Sequence, residues 1–169
     1  MIGLERFRDT FGNFERTAYR IEARDRYAMA EEGEPLRRFL AGEPDDLAWQ
    51  ARWTGRVRDL TASGRRVARV RIVSVPLSDY ARFGLAASIE AIRSGEDIRY
   101  LRRVAGLPRQ DFWIFDRRTV AVLHHDLDGA FVGASLVTDP PTVAGYQRQW
   151  ERARALSVTR SEFVVSARV

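Results

Sequence analysis

The sequence RVARVRIVSVPLSDYARFGLAASIEAIRSGEDIRYLRR (66–103) decides the predicted fold. Residues 66–75 predict a β-strand, in which successive side chains point to opposite faces. Residues 76–95 begin with Pro76, end at Gly95 and repeat apolar side chains at helical spacing. Residues 96–103 predict a second strand. A strand, a helix of about five turns and a second strand indicate a βαβ unit with two parallel strands.

The segment before this unit carries one strand and two helices in its sequence pattern. Residues 17–27 alternate apolar and charged side chains, as in a strand with one buried face. Residues 31–46 predict a short helix with Pro35 in its first turn and Gly42 beyond its end. Apolar residues spaced mostly by three or four predict a longer helix over 46–63.

The segment after the unit predicts strands joined by tight turns. Residues 111–116 and 119–126 are strongly apolar runs bounded by charges. The dipeptide Asp128-Gly129 is a typical hairpin turn and leads into a further strand over 130–138. These three strands should extend the sheet by antiparallel pairing.

The end of the chain predicts one more helix, capped by Asp139 and started by two prolines. The tail, 161–169, suits either an edge strand or a loose segment. The element order indicates an α/β fold, with α+β as an alternative: a mixed sheet flanked by helices. We expect a single domain over 1–169, with N-terminal elements in 1–64, the core in 65–157 and a tail from 158.

The composition excludes several classes of protein. The chain has 169 residues, 45% hydrophobic and 30% charged, which is typical of a globular domain and not of a disordered one. It contains no cysteine, which excludes disulfides and cysteine-ligated zinc. No apolar run approaches the roughly 18 residues that span a bilayer. We therefore expect a cytoplasmic protein without a membrane partner.

The net charge of +5 comes from 28 basic residues, all of them arginine. This bias is typical of a GC-rich genome, so part of the basicity carries no information about partners. Nucleic-acid binding would need the arginines of 65–71 and 99–103 to form one continuous patch. Strand alternation should send neighbouring arginines to opposite faces, so nucleic acid is the least favoured partner.

The segment from 66 to 157 resembles half of a phospholipase D-like domain. The family motif has a histidine, any residue, a lysine, four residues and an aspartate. Aligned on Asp116, the motif places Arg109 at the histidine and Asp111 at the lysine. Arginine is no nucleophile at physiological pH, and a carboxylate repels phosphate. The resemblance thus implies the fold with a degenerate active site.

A second resemblance covers most of the chain. FERTAYRIEARDRYAMAEEGEPLRRFLAGEP (14–44), the segment 69–101 and DFWIFDRRTVAVLHHDLDG (111–129) are similar to successive blocks of an uncharacterised family of short actinobacterial proteins. Genes of that family often lie beside those of helix-turn-helix regulators. The resemblance implies a regulatory or accessory role with a helix-turn-helix protein as partner, and it supplies no catalytic residues.

The sequence HHDLDG (124–129) offers the only histidines of the chain. His124, Asp126 and Asp128 alternate on one strand face and could hold a metal, although polar residues around a hairpin turn are more often solvated. His124 or His125 could act as acid or base beside Asp116 or Asp97. A histidine packed on a sheet is the favoured interpretation, so we predict neither a metal nor a cofactor.

The leading hypothesis is a non-catalytic regulatory or accessory protein that binds a partner regulator or a small effector at the crevice where the strands end. Large side chains with polar tips on or beside the adjoining strands are the candidate ligand-binding residues: Arg71, Tyr80, Arg99, Trp113 and Asp116. A small enzyme that uses His124 or His125 is the alternative. Nucleic-acid binding through the arginine clusters is the third hypothesis.

Overall fold

A computed structural model describes residues 1–167 of the chain, except the side chains of Leu4 and Ala167. The helices are α1 (Leu4–Gly12), α2 (Gly33–Leu40), α3 (Ala51–Ala62), α4 (Asp79–Arg93), α5 (Pro140–Leu156) and α6 (Arg160–Ala167). The strands are β1 (Thr17–Glu22), β2 (Arg66–Val73), β3 (Asp97–Arg102), β4 (Phe112–Phe115), β5 (Thr119–His125), β6 (Phe131–Val137) and β7 (Val158–Thr159). Short 3-10 turns, Ala30–Glu32 and Ala48–Gln50, precede α2 and α3.

The strands form one mixed sheet in the order β6-β5-β4-β1-β2-β3-β7. Strands β1, β2 and β3 are parallel neighbours, and every other pairing is antiparallel. The predicted βαβ unit is therefore β2-α4-β3, and the predicted hairpins are β4-β5 and β5-β6. The mixed α/β class is confirmed, while the likeness to a phospholipase D half-domain stays a prediction.

Helices cover both faces of the sheet. One face, which we call the α5 face, packs Val70 and Ile72 of β2 against Trp150 and Ala153 of α5. The other face, which we call the α4 face, is covered by α1, α3, α4 and α6. The α4 face also receives the odd-numbered arginines of β2, because side chains alternate along a strand.

The tail of the chain differs from the prediction. Residues 158–159 form a short strand beside β3, and α6 begins directly after it. Thr159 and Glu162 form a reciprocal capping box: the Thr159 N–H donates to the Glu162 carboxylate, and the Glu162 N–H donates to Thr159 Oγ1. Phe163, 1% exposed, then packs against Tyr100. The prediction of an edge strand or a loose tail over 161–169 was wrong for 161–167, and the last two residues lie outside the described ones.

The beginning of the chain adds an element that the sequence patterns did not predict. Helix α1 places Phe11 against Trp53 and Trp113, with ring centroids 5.4 and 4.9 Å apart. The predicted helix over 46–63 becomes a 3-10 turn followed by α3, because Leu47 takes a left-handed backbone conformation. No helix among residues 1–167 is long and apolar enough to cross a membrane.

Candidate functional site

A network of buried charges lies on the α4 face of β1 and β2. Glu22, 4% exposed, is at its centre. Its Oε1 lies 2.8 Å from Arg20 Nη1 and 3.1 Å from Arg69 Nη1, and its Oε2 lies 2.9 Å from Arg71 Nε. Parallel pairing of β1 with β2 places Glu22 beside Arg71 in register, so strand alternation and register together build the network.

The network holds the Glu22 carboxylate ionised. Burial alone would raise the pKa of the Glu22 carboxyl, but the guanidinium groups of Arg20, Arg69 and Arg71 lower it to about 2. Arg69 also pairs with Glu96, at 2.7 Å between Nη2 and Oε1, and the Trp53 indole N–H donates to the other Glu96 oxygen. Each of these four groups, Glu22, Arg69, Arg71 and Glu96, thus has an opposite charge beside it, as a stable interior requires.

Arg71 is the member of this network that lies beneath α4. A Cβ at Gly84 of α4 would lie 2.3 Å from Arg71 Nη1, so alanine at this position would force the guanidinium to move. Tyr80 of the same helix donates its hydroxyl to Glu32, which precedes α2. Burial and the nearby Glu32 carboxylate raise the pKa of the Tyr80 hydroxyl, which therefore stays protonated.

An open crevice lies at the carboxyl ends of the parallel strands, next to the buried network. It has a volume of about 590 Å³ and is formed by residues 23–26 and Ala28 after β1, Arg103 after β3, Arg109 before β4 and the β5-β6 turn. The carboxyl ends of parallel strands are where open α/β sheets bind ligands. The sequence analysis predicted ligand binding at a crevice in this position, where the strands end.

The wall of the crevice is rich in arginine. Four arginines line it (Arg24, Arg26, Arg103 and Arg109), together with two aspartates, Asp25 and Asp128. The four positive and two negative groups leave a formal charge of +2. Within residues 1–167, Arg26 and Arg109 are exposed and have no salt-bridge partner. The crevice therefore presents guanidinium groups that are free to bind an anion.

Arg103 is the fixed member of this set. Its Nη2 donates to the carbonyls of Ala23 and Ile72, and its Nε donates to Ser74 Oγ. The carboxylate of Asp25 in turn accepts from the N–H and the hydroxyl of Ser74. These bonds connect the ends of β1, β2 and β3, so the floor of the crevice is held in place before any ligand binds.

The five predicted ligand-binding residues do not share one place. Arg71, Tyr80 and Trp113 all lie on the α4 face and are buried. Arg99 lies on the α5 face, where its Nε and Nη2 donate to the Oγ and carbonyl of Ser157. Asp116 lies at the end of the sheet opposite the crevice, because β4 runs antiparallel to β1.

Asp116 stabilises the backbone at the start of β1. It follows β4 in a tight turn, with φ of 50°, and its carboxylate accepts the backbone N–H groups of Glu15, Arg16 and Thr17. Burial would raise its pKa, but these three hydrogen bonds lower it. The turn thereby fixes the entry into β1.

The two histidines lie on opposite faces of β5, as alternation predicts. His124 Nε2 lies 2.8 Å from Ser135 Oγ of β6. His125 packs against the rings of Tyr27 and Phe131, and burial lowers its pKa while Asp111 opposes the shift. Neither histidine is near Asp116. Asp116 lies beside Thr119, the first residue of β5, and at 3.3 Å per strand residue Thr119 is about 17 Å from His124.

The predicted weak metal ligands instead build the turn after β5. Asp126 Oδ1 accepts the N–H groups of Asp128 and Ala130, at 3.0 and 2.8 Å. Among the described part of the chain, no group of three or more metal-ligating side chains has the geometry to hold an ion. His124 hydrogen-bonds to Ser135, whereas Asp126 hydrogen-bonds to the backbone of its own turn, so the two side chains have separate partners.

The arginines of 65–71 and 99–103 do not form the continuous patch that nucleic-acid binding would need. Arg69 and Arg71 are turned into the α4 face and paired with Glu22. Arg103 belongs to the crevice, whereas Arg65, Arg66 and Arg99 surround a cavity at the opposite end of the sheet. Alternation along the strands and the distance between their two ends separate these groups.

The crevice arginines Arg24, Arg26 and Arg109 were not among the predicted site residues. A signal for them was present in the sequence. Arg24 and Arg26 lie near the end of the predicted strand over 17–27, and Arg109 lies two residues before the predicted strand over 111–116. Once β1 is known to lie between β2 and β4, these positions meet at one sheet edge.

The fold and the site define a mixed α/β protein with a buried charge network and an arginine-lined crevice at the carboxyl ends of its parallel strands. Residues 5–165 match the family described as Domain of unknown function (DUF6879), and the chain belongs to this family. A search of curated proteins finds no match to the chain.

Proposed function

We propose that the chain is a non-catalytic regulatory or accessory protein of the actinobacterial cytoplasm, which binds a small anionic effector in the crevice. The observation that carries this proposal is the convergence of Arg24, Arg26, Arg103 and Arg109 on one crevice. Guanidinium groups bind carboxylates and phosphates with two parallel hydrogen bonds, so several of them around one space favour an anionic ligand.

The size and lining of the crevice support a small ligand. Its volume of about 590 Å³ lies in the range of small-molecule sites. The lining residues include neither histidine nor serine, threonine or tyrosine. The wall thus offers charge and hydrogen-bond donors, and it lacks the usual nucleophiles and the imidazole base of hydrolytic sites.

The regulatory part of the proposal rests on the resemblance to proteins encoded beside helix-turn-helix regulators. An effector held between the ends of three strands would contact the loop after β1 and the β5-β6 turn, which are already joined by the hydrogen bond from the Ala28 N–H to the Gly129 carbonyl. Binding could thereby change the surface that a partner regulator meets. A helix-turn-helix protein is the partner that we propose.

Ligand binding can be tested with citrate and inorganic phosphate as probes. We expect both to raise the melting temperature of the protein, because they bind the folded state alone. The double variant Arg26→Gln/Arg109→Gln should lose most of this stabilisation. Arg58→Gln, which changes an exposed arginine of α3 outside the crevice, should keep it. Equal stabilisation of both variants would refute the crevice as the site.

The partner can be tested with the regulator encoded next to the gene. Purified protein should retain that regulator in a pull-down, and the amount retained should change when the effector probe is added. Absence of binding, with and without the probe, would refute the regulatory role but would leave the anion site intact.

One observation favours an enzyme as the second candidate function. Asp111, 2% exposed, accepts the N–H of Ala23 through Oδ1, while its Oδ2 is buried without a hydrogen-bond partner among the described residues. It lies close enough to His125 to influence the pKa of the imidazole. A buried carboxylate beside a histidine is a common acid-base pair. Activity that survives both His125→Gln and Asp111→Asn would exclude this candidate.

A further inference from the structure

A second cavity lies at the opposite end of the sheet from the crevice, beside α5. It has a volume of about 730 Å³. It is bounded by the first residues of β2 and β3 and by the last turns of α5, so it shares no residue with the crevice. Its wall contains five arginines: Arg65, Arg66, Arg99, Arg117 and Arg154.

Two of these arginines are held in fixed positions. Arg99 donates from Nε and Nη2 to Ser157, which leaves its Nη1 without an acceptor among the described residues. Arg154 Nη2 donates to Asp97 Oδ2, at 2.7 Å. A guanidinium that is already oriented loses little conformational entropy when a ligand binds, so both groups are prepared for an anion.

Two others, Arg65 and Arg66, have no carboxylate partner within residues 1–167. The wall contains only two carboxylates: Asp97, paired with Arg154, and Glu151, 3.6 Å from Arg117. Five positive and two negative groups leave a formal charge of +3. The formal charge of the second cavity is therefore one unit more positive than that of the crevice, and the two spaces are similar in size.

We propose that this cavity is a second anion site, which binds the polyphosphate group of a small molecule. Several guanidinium groups around one cavity match a ligand with several anionic oxygens, such as a diphosphate. The ring of Tyr19, stacked on Trp150 at 4.9 Å, forms part of the same wall and offers an aromatic surface beside the phosphates. The concave shape favours a small ligand, since nucleic acid would need an extended surface.

The test is calorimetric titration of the full chain with inorganic pyrophosphate and with ADP at low ionic strength. Both ligands should bind, because the shared diphosphate provides the main contacts; a tighter affinity for ADP would identify a nucleotide as the source. The double variant Arg65→Gln/Arg66→Gln should weaken pyrophosphate binding by about tenfold or more, since each charge-assisted bond contributes strongly. Arg58→Gln should keep the wild-type affinity. Arg26→Gln/Arg109→Gln should keep the binding event that Arg65→Gln/Arg66→Gln weakens, and should lose only a separate event at the crevice.

The controls separate this site from the crevice and from a nucleic-acid surface. Pyrophosphate binding that is lost in Arg26→Gln/Arg109→Gln and kept in Arg65→Gln/Arg66→Gln would overturn the proposal and support the crevice alone. A short oligothymidylate that binds more tightly than either small ligand, and is lost in Arg65→Gln/Arg66→Gln, would also overturn it. Circular dichroism of each variant should show the wild-type fold, because Arg65 and Arg66 pair with no buried carboxylate.

Discussion

The buried face of β2 and the open crevice both carry arginines, but the arginines of the buried face are paired with carboxylates and two of those in the crevice are not. On the buried face, Arg69 and Arg71 share Glu22, and Arg69 also pairs with Glu96. In the crevice, Arg26 and Arg109 have no such partner among the described residues. Arginines that are matched by carboxylates serve the stability of the fold, whereas unmatched ones at a strand end are available to a ligand.

This difference follows from geometry and not from local sequence. Arg69 and Arg71 point under α3 and α4, where an unpaired charge would cost several kcal/mol, of the order found for buried ions. Arg26 and Arg109 are exposed, so water solvates them whether or not a carboxylate is near. Changes that remove one charge from each region should therefore have very different effects on stability.

The largest effect should come from Glu22→Gln. The substitution leaves Arg20, Arg69 and Arg71 without the carboxylate that they share, and breaking a buried ion pair typically costs about 3–5 kcal/mol. Urea unfolding should show this loss as a lower midpoint. The exposed carboxylate Glu34, which pairs with Arg37, provides the matched control, and Glu34→Gln should change the midpoint little. Equal losses in the two variants would contradict a central role of Glu22.

Acid should weaken the same network. The pKa of Glu22 is about 2 in the folded protein, against 4.5 for a free glutamate. Because the folded value is the lower one, the stabilisation is complete above about pH 4.5 and is lost as the pH falls towards 2, by on the order of 3 kcal/mol. Urea midpoints measured from neutral pH down to about pH 3 should fall more steeply for the wild type than for Glu22→Gln.

A smaller effect should come from the contact between Arg71 and α4. Gly84→Ala would place a Cβ 2.3 Å from Arg71 Nη1 and should cost about 1–3 kcal/mol, as overpacking does. Gly55, inside α3, has no positive φ, and a Cβ added there would meet nothing within 4 Å. Gly55→Ala should therefore stabilise the protein by about 0.4–1 kcal/mol. If both changes shifted the urea midpoint in the same direction, the tight packing of Arg71 would be refuted.

Much of the fold was predictable because its elements carry local signals. The alternation of 66–75 and the spacing in 76–95 predicted β2 and α4, and Asp139 caps α5 through the N–H of Thr142, as its position before two prolines indicated. The order of the strands was not predictable, since β1 lies between β2 and β4 through contacts far apart in the chain. Helix α6 was missed although the capping box of Thr159 and Glu162 was present in the sequence.

The candidate site was less predictable, because it depends on strand order. Arg71, Tyr80 and Trp113 were recognised as large polar-tipped residues near adjoining strands, and all three lie on the α4 face. Their burial could not be inferred, since it follows from the covering helices. Arg26 and Arg109 become neighbours of one crevice only through the pairing of β1 with β4.

The smallest effect on stability should come from Arg109→Gln. Arg109 is exposed and has no salt-bridge partner among the described residues, so its loss should change the free energy of unfolding by less than about 0.5 kcal/mol. Any change should be a gain, because Arg109 shares the crevice with Arg24, Arg26 and Arg103, and like charges repel. Salt screens this repulsion, so a gain measured by urea unfolding at low ionic strength should vanish at high ionic strength. Arg69→Gln, the matched change in the buried network, should destabilise at both, since its partners Glu22 and Glu96 are shielded from solvent ions. A large loss of stability in Arg109→Gln would instead place Arg109 among the arginines that hold the fold together.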